Sequence, residues 1–152
     1  MPELDVGDKA PDFTLPDGDG GTISLKGLKG KKVVLYFYPK DDTSGCTKEA
    51  CSFRDNLGRV KRKGAVVIGA STDGVASHRK FTEKYDLTFP LVSDEKKELV
   101  HTYGVWKEKS MYGRKYMGTE RTTFVIDEKG TITHIFRKVK VDGHVDEILA
   151  AL

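Results

Sequence analysis

VVLYFYPKDDTSGCTKEACSFRDNLGRVKRKGAVVIGAS, residues 33–71, decides the fold. It opens on VVLYFY (33–38), apolar throughout and rich in β-branched and aromatic residues, and halts at Pro39. A run that is apolar at every position reads as a strand covered on both faces. VVIGAS (66–71) is a second run of that kind. Between them Ala50, Phe53, Leu57 and Val60 recur at steps of three and four, the period of one helix face, and Gly64 is a natural stop. Strand, helix and strand at this spacing make a βαβ unit, so the two strands run parallel.

Outward from this unit, VASHRKFTEKY (75–85) predicts a helix with Asp73 as its capping residue. FPLVSD (89–94) predicts a short strand, and EKKELVHTYG (95–104) a short helix ending at Gly104. VWKEKSMYGRKYMGTER (105–121) reads as irregular, extended or hairpin-like, with a turn near Gly113. TTFVID (122–127) and TITHIF (131–136) flank the turn residues EKG and predict a hairpin. HVDEILAAL (144–152) predicts a closing helix with Val145, Ile148, Leu149 and Leu152 on one face. At the other end, DFTLPDGDGGTISL (12–25) alternates about a Gly/Asp-rich turn and predicts a small hairpin laid on the domain. The order βαβ, helical connection, ββα matches a thioredoxin-like α/β sandwich. That fold class has a central mixed β-sheet flanked by helices, here with an N-terminal β-hairpin extension, as one domain over residues 1–152.

Composition narrows the function classes. With 38% hydrophobic and 32% charged residues, the chain reads as a globular domain with a highly charged surface. No apolar run approaches the roughly 18–20 residues of a membrane span. The stretch MPELDVGDKAPDF (1–13) lacks the basic and apolar regions of a secretory leader, so a cytoplasmic location is expected. The balance of 26 Lys+Arg against 23 Asp+Glu gives +3, too mild to argue nucleic-acid binding. The basic clusters KGLKGKK (26–32), RVKRKG (59–64) and RKVK (137–140) have acids nearby and no interleaved aromatics, and read as solvated faces at element ends.

The two cysteines, Cys46 and Cys51, share the loop and helix start that follow the first strand. This is where α/β folds place their sites. Two cysteines in a cytosolic chain make a poor structural staple. The four histidines, His78, His101, His134 and His144, lie outside that segment, so no metal set is expected. KDDTSG (40–45) is a run of turn formers, which puts Cys46 in the first helical turn. There free N–H groups and the positive end of the helix favour thiolate, the nucleophilic form. Five residues of helix separate Cα atoms by roughly 8–9 Å, beyond the roughly 4.4–6.8 Å of a disulfide. The pair suits a switch that needs local unwinding better than a static crosslink, and the alternative for Cys51 is a packed helix residue. A thiolate that attacks a peroxide becomes a sulfenic acid, which a second thiol condenses into a disulfide. Thr43, three residues before Cys46, can bring a hydroxyl to such a site. Arg121, just before the strand 122–127, is either the cation that completes it or a surface charge.

At these residues the sequence resembles the peroxiredoxins. PKDDTSGCTKEAC (39–51) fits their active-site pattern of Pro, three residues, Thr, two residues, Cys. The cysteine five residues on is the mark of the Q-type, or bacterioferritin-comigratory, members. GDKAPDFTLPD (7–17), FPLVSD (89–94), YGVWKEK (103–109) and ERTTFVIDEKG (120–130) agree, so the likeness covers essentially the whole chain. The resemblance implies a thiol-dependent peroxidase acting on hydrogen peroxide and organic hydroperoxides without a cofactor. It implies Cys46 as peroxidatic cysteine and Cys51 as resolving cysteine in an intramolecular disulfide. Thr43 and Arg121 would bind and polarise the peroxide, and Pro39 would shield the thiolate. It further implies recycling by thioredoxin or a similar dithiol, and a monomer. One position departs: Ser44 stands where the family usually has proline, which predicts a looser loop. Rival readings are weaker. A thiol–disulfide oxidoreductase carries two residues between its cysteines, where this chain has four. A non-catalytic binding module would have no use for the set Pro39, Thr43, Cys46 and Arg121.

Overall fold

The computed structural model describes residues 3–152; Met1 and Pro2 of the N-terminal stretch read above lie outside the described residues. In chain order the strands and α-helices are β1 (Thr14–Pro16), β2 (Thr22–Ser24), β3 (Lys32–Phe37), α1 (Ser44–Asp55), α2 (Leu57–Arg62), β4 (Ala65–Ser71), α3 (Val75–Tyr85), β5 (Leu91–Ser93), α4 (Glu98–Thr102), β6 (Trp106–Met111), β7 (Arg114–Thr119), β8 (Thr122–Ile126), β9 (Ile132–Phe136) and α5 (His144–Ala151), with a short 3-10 helix (Lys26–Leu28) between β2 and β3.

The sheet has the order β5-β4-β3-β8-β9. The β3–β4 and β4–β5 pairs are parallel, and β3–β8 and β8–β9 are antiparallel, so the sheet is mixed as expected. Strand β3 lies in the middle, and its side chains alternate between two cores. Val34 and Tyr36 join Ala50, Phe53, Val60, Ile148 and Leu149 under α1, α2 and α5. Val33, Leu35 and Phe37 join Leu99, Tyr103 and Phe124 on the opposite face. This explains the unbroken apolar run: each fully buried side chain contributes about 1.5–3 kcal/mol relative to exposure, and β3 feeds both layers.

Residues 105–121 settle into the hairpin β6–β7, turning through Tyr112 and Gly113, both with positive φ (52° and 78°). That is the two-residue turn whose twist matches its strands. The hairpin β1–β2 lies against the domain through an antiparallel bridge from Asp17 to Val92. The basic clusters sit at element ends, and two of them meet where Lys32 N–H donates to Gly64 O at 3.1 Å, the end of β3 remote from Cys46.

Two local expectations are corrected. The helix read through residues 46–63 is two helices, because Asn56 leaves helical geometry (φ −109°, ψ 8°) and turns its side-chain amide back to Ser52 O at 2.8 Å. Asp73 does not cap α3; the N-cap is Gly74, without a side-chain cap bond. The Asp73 carboxylate instead accepts from Ser71 Oγ at 2.7 Å and from Asp41 N–H at 2.8 Å.

Candidate active site

The C-terminal end of β3 and the start of β8 are neighbours because the two strands pair antiparallel, with Phe37 opposite Thr122. One register therefore brings the loop after β3 beside the residue before β8. Thr43 is the N-cap of α1, in extended geometry (φ −96°, ψ 156°), and its carbonyl accepts the first helical bond from Thr47 N–H at 2.8 Å. Cys46 is thus in the first turn, as the sequence predicts, and is 2% exposed. The Arg121 guanidinium reaches it: Nη2 donates to Cys46 Sγ at 3.3 Å. Val139 N–H holds the Arg121 carbonyl at 2.9 Å, which fixes the backbone from which that side chain extends. Gly45 leaves room for the guanidinium, since a Cβ there would lie 3.2 Å from Arg121 Nη2.

The second guanidinium nitrogen, Nη1, donates to Glu49 Oε1 at 2.6 Å. Sequence reasoning missed Glu49, because a carboxylate inside a charged helix reads as solvated. The signal was its position: it lies three residues after Cys46, next to Ala50, on the face that carries Phe53 into the core. It is 1% exposed and its Oε2 has no hydrogen-bond partner among the described residues. Burial pushes its carboxyl up to about 7, and Arg121 only partly opposes this. Burial also works against the Arg121 charge, but Glu49 and Cys46 outweigh it and raise the guanidinium further. The two shifts look contradictory for one ion pair. They are reconciled by depth, since Glu49 is the more deeply buried partner and bears the larger desolvation.

The remaining predicted residues have the following settings. Pro39 is half-buried at the entry to the loop. Thr43 is exposed, and its hydroxyl donates to Lys40 O at 2.9 Å rather than to the sulfur, which leaves its lone pairs open to an incoming O–H. Cys51 is half-buried, and both thiols are free and lie in one intact helix, so the separation of roughly 8–9 Å expected from helical rise applies. Lys109 on β6 is near enough to feel the charges of the site. Burial and the neighbouring Arg121 lower its pKa, while Cys46 and Glu120 pull the other way. Its place follows from the hairpin, which the local pattern did not fix.

A buried thiol beside a fixed guanidinium, at a helix start and with an open hydroxyl nearby, is equipped for nucleophilic attack on a polar O–O bond. Residues 6–135 match the model of the AhpC/TSA family. The chain belongs to the peroxiredoxins, in their Q-type branch. It is 48% identical to peroxiredoxin Bcp of Bacillus subtilis over 149 residues, 98% of this chain and 95% of that one. A solved structure of a PrxQ Cys-to-Ser variant from Xylella fastidiosa superposes with a TM-score of 0.93 at 36% identity, covering 99% and 96% of the two chains. The bacterioferritin comigratory protein of Xanthomonas campestris, studied for alkyl peroxide reduction, superposes at 0.87 with 42% identity, covering 91% and 88%. As a peroxiredoxin the chain is a thiol-dependent peroxidase, with a peroxide as oxidant and a thiol as reductant. Among the described residues no helix is long and apolar enough to cross a membrane.

Proposed function

We propose that Cys46 is the peroxidatic thiolate and Cys51 its resolving partner, with Thr43, Arg121 and Pro39 completing the site. The observation that carries this reading is the 3.3 Å contact from Arg121 Nη2 to Cys46 Sγ in the first turn of α1. In the first step the Cys46 sulfur attacks the terminal oxygen of ROOH. An S–O bond forms and the O–O bond breaks, the sulfur is oxidised by two electrons, and the RO⁻ that leaves takes a proton to become ROH. Thr43 Oγ accepts the hydroperoxide's hydrogen, and Arg121 stabilises the charge that grows on the leaving oxygen. Pro39 keeps bulk water from the thiolate.

In the second step Cys51 displaces water from the Cys46 sulfenic acid to close a disulfide, after the first turns of α1 unwind. A dithiol of the thioredoxin type then reduces the disulfide through a mixed-disulfide intermediate. Hydrogen peroxide and organic hydroperoxides are the substrates, and the alkyl class is the one studied in the Xanthomonas campestris neighbour. The chain acts as a monomer and one domain in the cytoplasm, without a cofactor and without binding nucleic acid or membrane.

The test is intact mass after one equivalent of hydrogen peroxide, on fully reduced wild type and on Cys51→Ser. Wild type is expected to lose two hydrogens, and the variant to gain one oxygen on Cys46. Oxygen gain without a disulfide in wild type would make Cys51 a packing residue and an external thiol the resolver. No reaction in either protein would sink the assignment of Cys46.

A further inference from the structure

The peroxidase chemistry leaves one buried polar cluster unused, and it lies directly upstream of α1. Asp41 sits two residues before Thr43, and its carboxylate is buried. Oδ1 accepts from Tyr38 Oη at 2.5 Å. Oδ2 accepts from Ser77 Oγ at 2.8 Å and meets His78 Nδ1 at 2.7 Å. His78 is 0% exposed, and its other nitrogen, Nε2, lies 2.9 Å from Val92 O. A carbonyl can only accept, so Nε2 donates and one proton is held between Nδ1 and the carboxylate. The Asp41 N–H is engaged as well, by Asp73 Oδ2 at 2.8 Å. Gly18 seals the cluster from the N-terminal hairpin, where a Cβ would lie 3.2 Å from His78 Cβ.

Asp41, Asp73 and His78 bring ligand atoms within 4.8 Å of one another, the spacing of a metal site. Both Asp41 oxygens and Asp73 Oδ2 are already engaged, however: they accept from Tyr38, Ser77, Ser71 and the Asp41 backbone. The cluster is a closed hydrogen-bonded network that joins the loop before Cys46 to α3 and β5. Removing one partner of this buried pair leaves the other without its hydrogen bond, so it behaves as a two-position fastening rather than a graded one. Two further ties run from the same neighbourhood to α3. Asp42 meets Lys84 Nζ at 2.8 Å and Tyr85 Oη at 2.7 Å, both exposed and individually weak. Arg54 Nη1, near the far end of α1, donates to Tyr85 O at 2.5 Å. The cysteine segment is therefore held at both ends against α3.

We propose that the Asp41–His78 pair is a latch that sets the upstream limit of α1 unwinding and thereby the rate at which Cys46 and Cys51 join, making His78 a positioning residue for the resolving step. This rests on the disulfide reading above. With the latch closed, unwinding is confined to the stretch between Asp42 and the buried Phe53. With it open, the loop and the first turns of α1 move together and the two sulfurs meet more often.

Three variants separate the latch from general destabilisation. His78→Gln keeps a donor near Val92 O and loses the Asp41 bond. His78→Asn places its amide where Nδ1 stood, so it keeps the Asp41 bond. Ser77→Ala removes one neutral donor. Quenched-flow alkylation with mass detection reads disulfide formation, and dimedone trapping in a Cys51→Ser background reads sulfenic acid formation. Disulfide formation is expected to rise about tenfold or more in His78→Gln and about threefold in Ser77→Ala, as for loss of a charge-assisted and a neutral hydrogen bond. It stays within about twofold of wild type in His78→Asn, where the charge-assisted bond is kept. Sulfenic acid formation stays within about twofold in all three, because none touches the sulfur or Arg121. Equal acceleration in His78→Asn and His78→Gln, or no acceleration in folded His78→Gln and Ser77→Ala, overturns the latch. Amide hydrogen exchange of residues 41–50 is read alongside and needs no disulfide. If wild type forms none, the disulfide reading fails by itself, and the latch stands or falls on faster exchange there in Ser77→Ala and His78→Gln, with β4 unchanged.

Discussion

Glu49→Gln is the most informative single change. In the folded protein burial moves the Glu49 carboxyl from 4.5 to about 7, with Arg121 only partly offsetting it. That difference, at about 1.4 kcal/mol per pH unit, amounts to about 3 kcal/mol. The sign follows from proton binding. The folded state holds this proton more tightly than the unfolded chain, so the contribution is fully present below the free-carboxyl pKa of 4.5 and is lost as pH rises through about 7. Glutamine cannot ionise and has no such slope. Its oxygen still accepts from Arg121, and its amide nitrogen takes the place of the unpartnered Oε2. Urea unfolding of both proteins from about pH 5 to about pH 8 should show wild type losing ground steadily, until the variant leads by up to about 3 kcal/mol. The peroxide rate of the variant should nevertheless fall, because a neutral acceptor holds the guanidinium less firmly than a carboxylate. Two stability curves running parallel across this range would refute the reasoning and place Glu49 in a better-solvated setting than its burial implies.

Gly45→Ala should separate rate from stability. The new Cβ meets Arg121 Nη2 at 3.2 Å, so the peroxide rate in stopped flow should drop between about two- and tenfold. The thermal midpoint should hold or rise, because alanine is the better helix former. Ser44→Pro should stabilise: Ser44 is the first residue of α1, and Thr43 before it already has the extended geometry that a following proline demands. A gain of about 0.4–1 kcal/mol in urea unfolding is expected, with slower disulfide closure; a loss of stability would count against the helix start described here. Gly69→Ala should be harmful, because its Cβ would lie 2.7 Å from Leu91 Cδ2 and 2.9 Å from Tyr36 Oη inside the core. A loss of about 1–3 kcal/mol is expected by calorimetry or urea.

The sheet was legible in the sequence because β3 and β4 are covered on both faces, and such strands show as unbroken apolar runs. Arg121 was legible once the strand order was, since the start of β8 must lie beside the end of β3. The break at Asn56 was hidden because Leu57 and Val60 continue the apolar spacing of Ala50 and Phe53 across it, while the interruption comes from one side-chain amide bonding backward. Glu49 and the Asp41–His78 pair were hidden for a shared reason. Each has a partner distant in sequence, 72 residues on for Glu49 and 37 for Asp41, so even where helix position hints at burial nothing local names the partner. Asp73 has the composition of a helix cap, and only the three-dimensional neighbourhood of Ser71 and the Asp41 backbone redirects it.

The hairpin β6–β7 carries a further consequence. Its tip, Tyr112, is 98% exposed and lies outside the central sheet. A chain opened between Tyr112 and Gly113 divides into two pieces, one bearing both cysteines and Glu49, the other bearing Arg121 with β8, β9 and α5. Neither piece holds a complete site, yet each carries one whole strand of the β3–β8 ladder that joins the two halves. Peroxide reactivity at Cys46, which needs residues from both fragments, is the expected readout of their association.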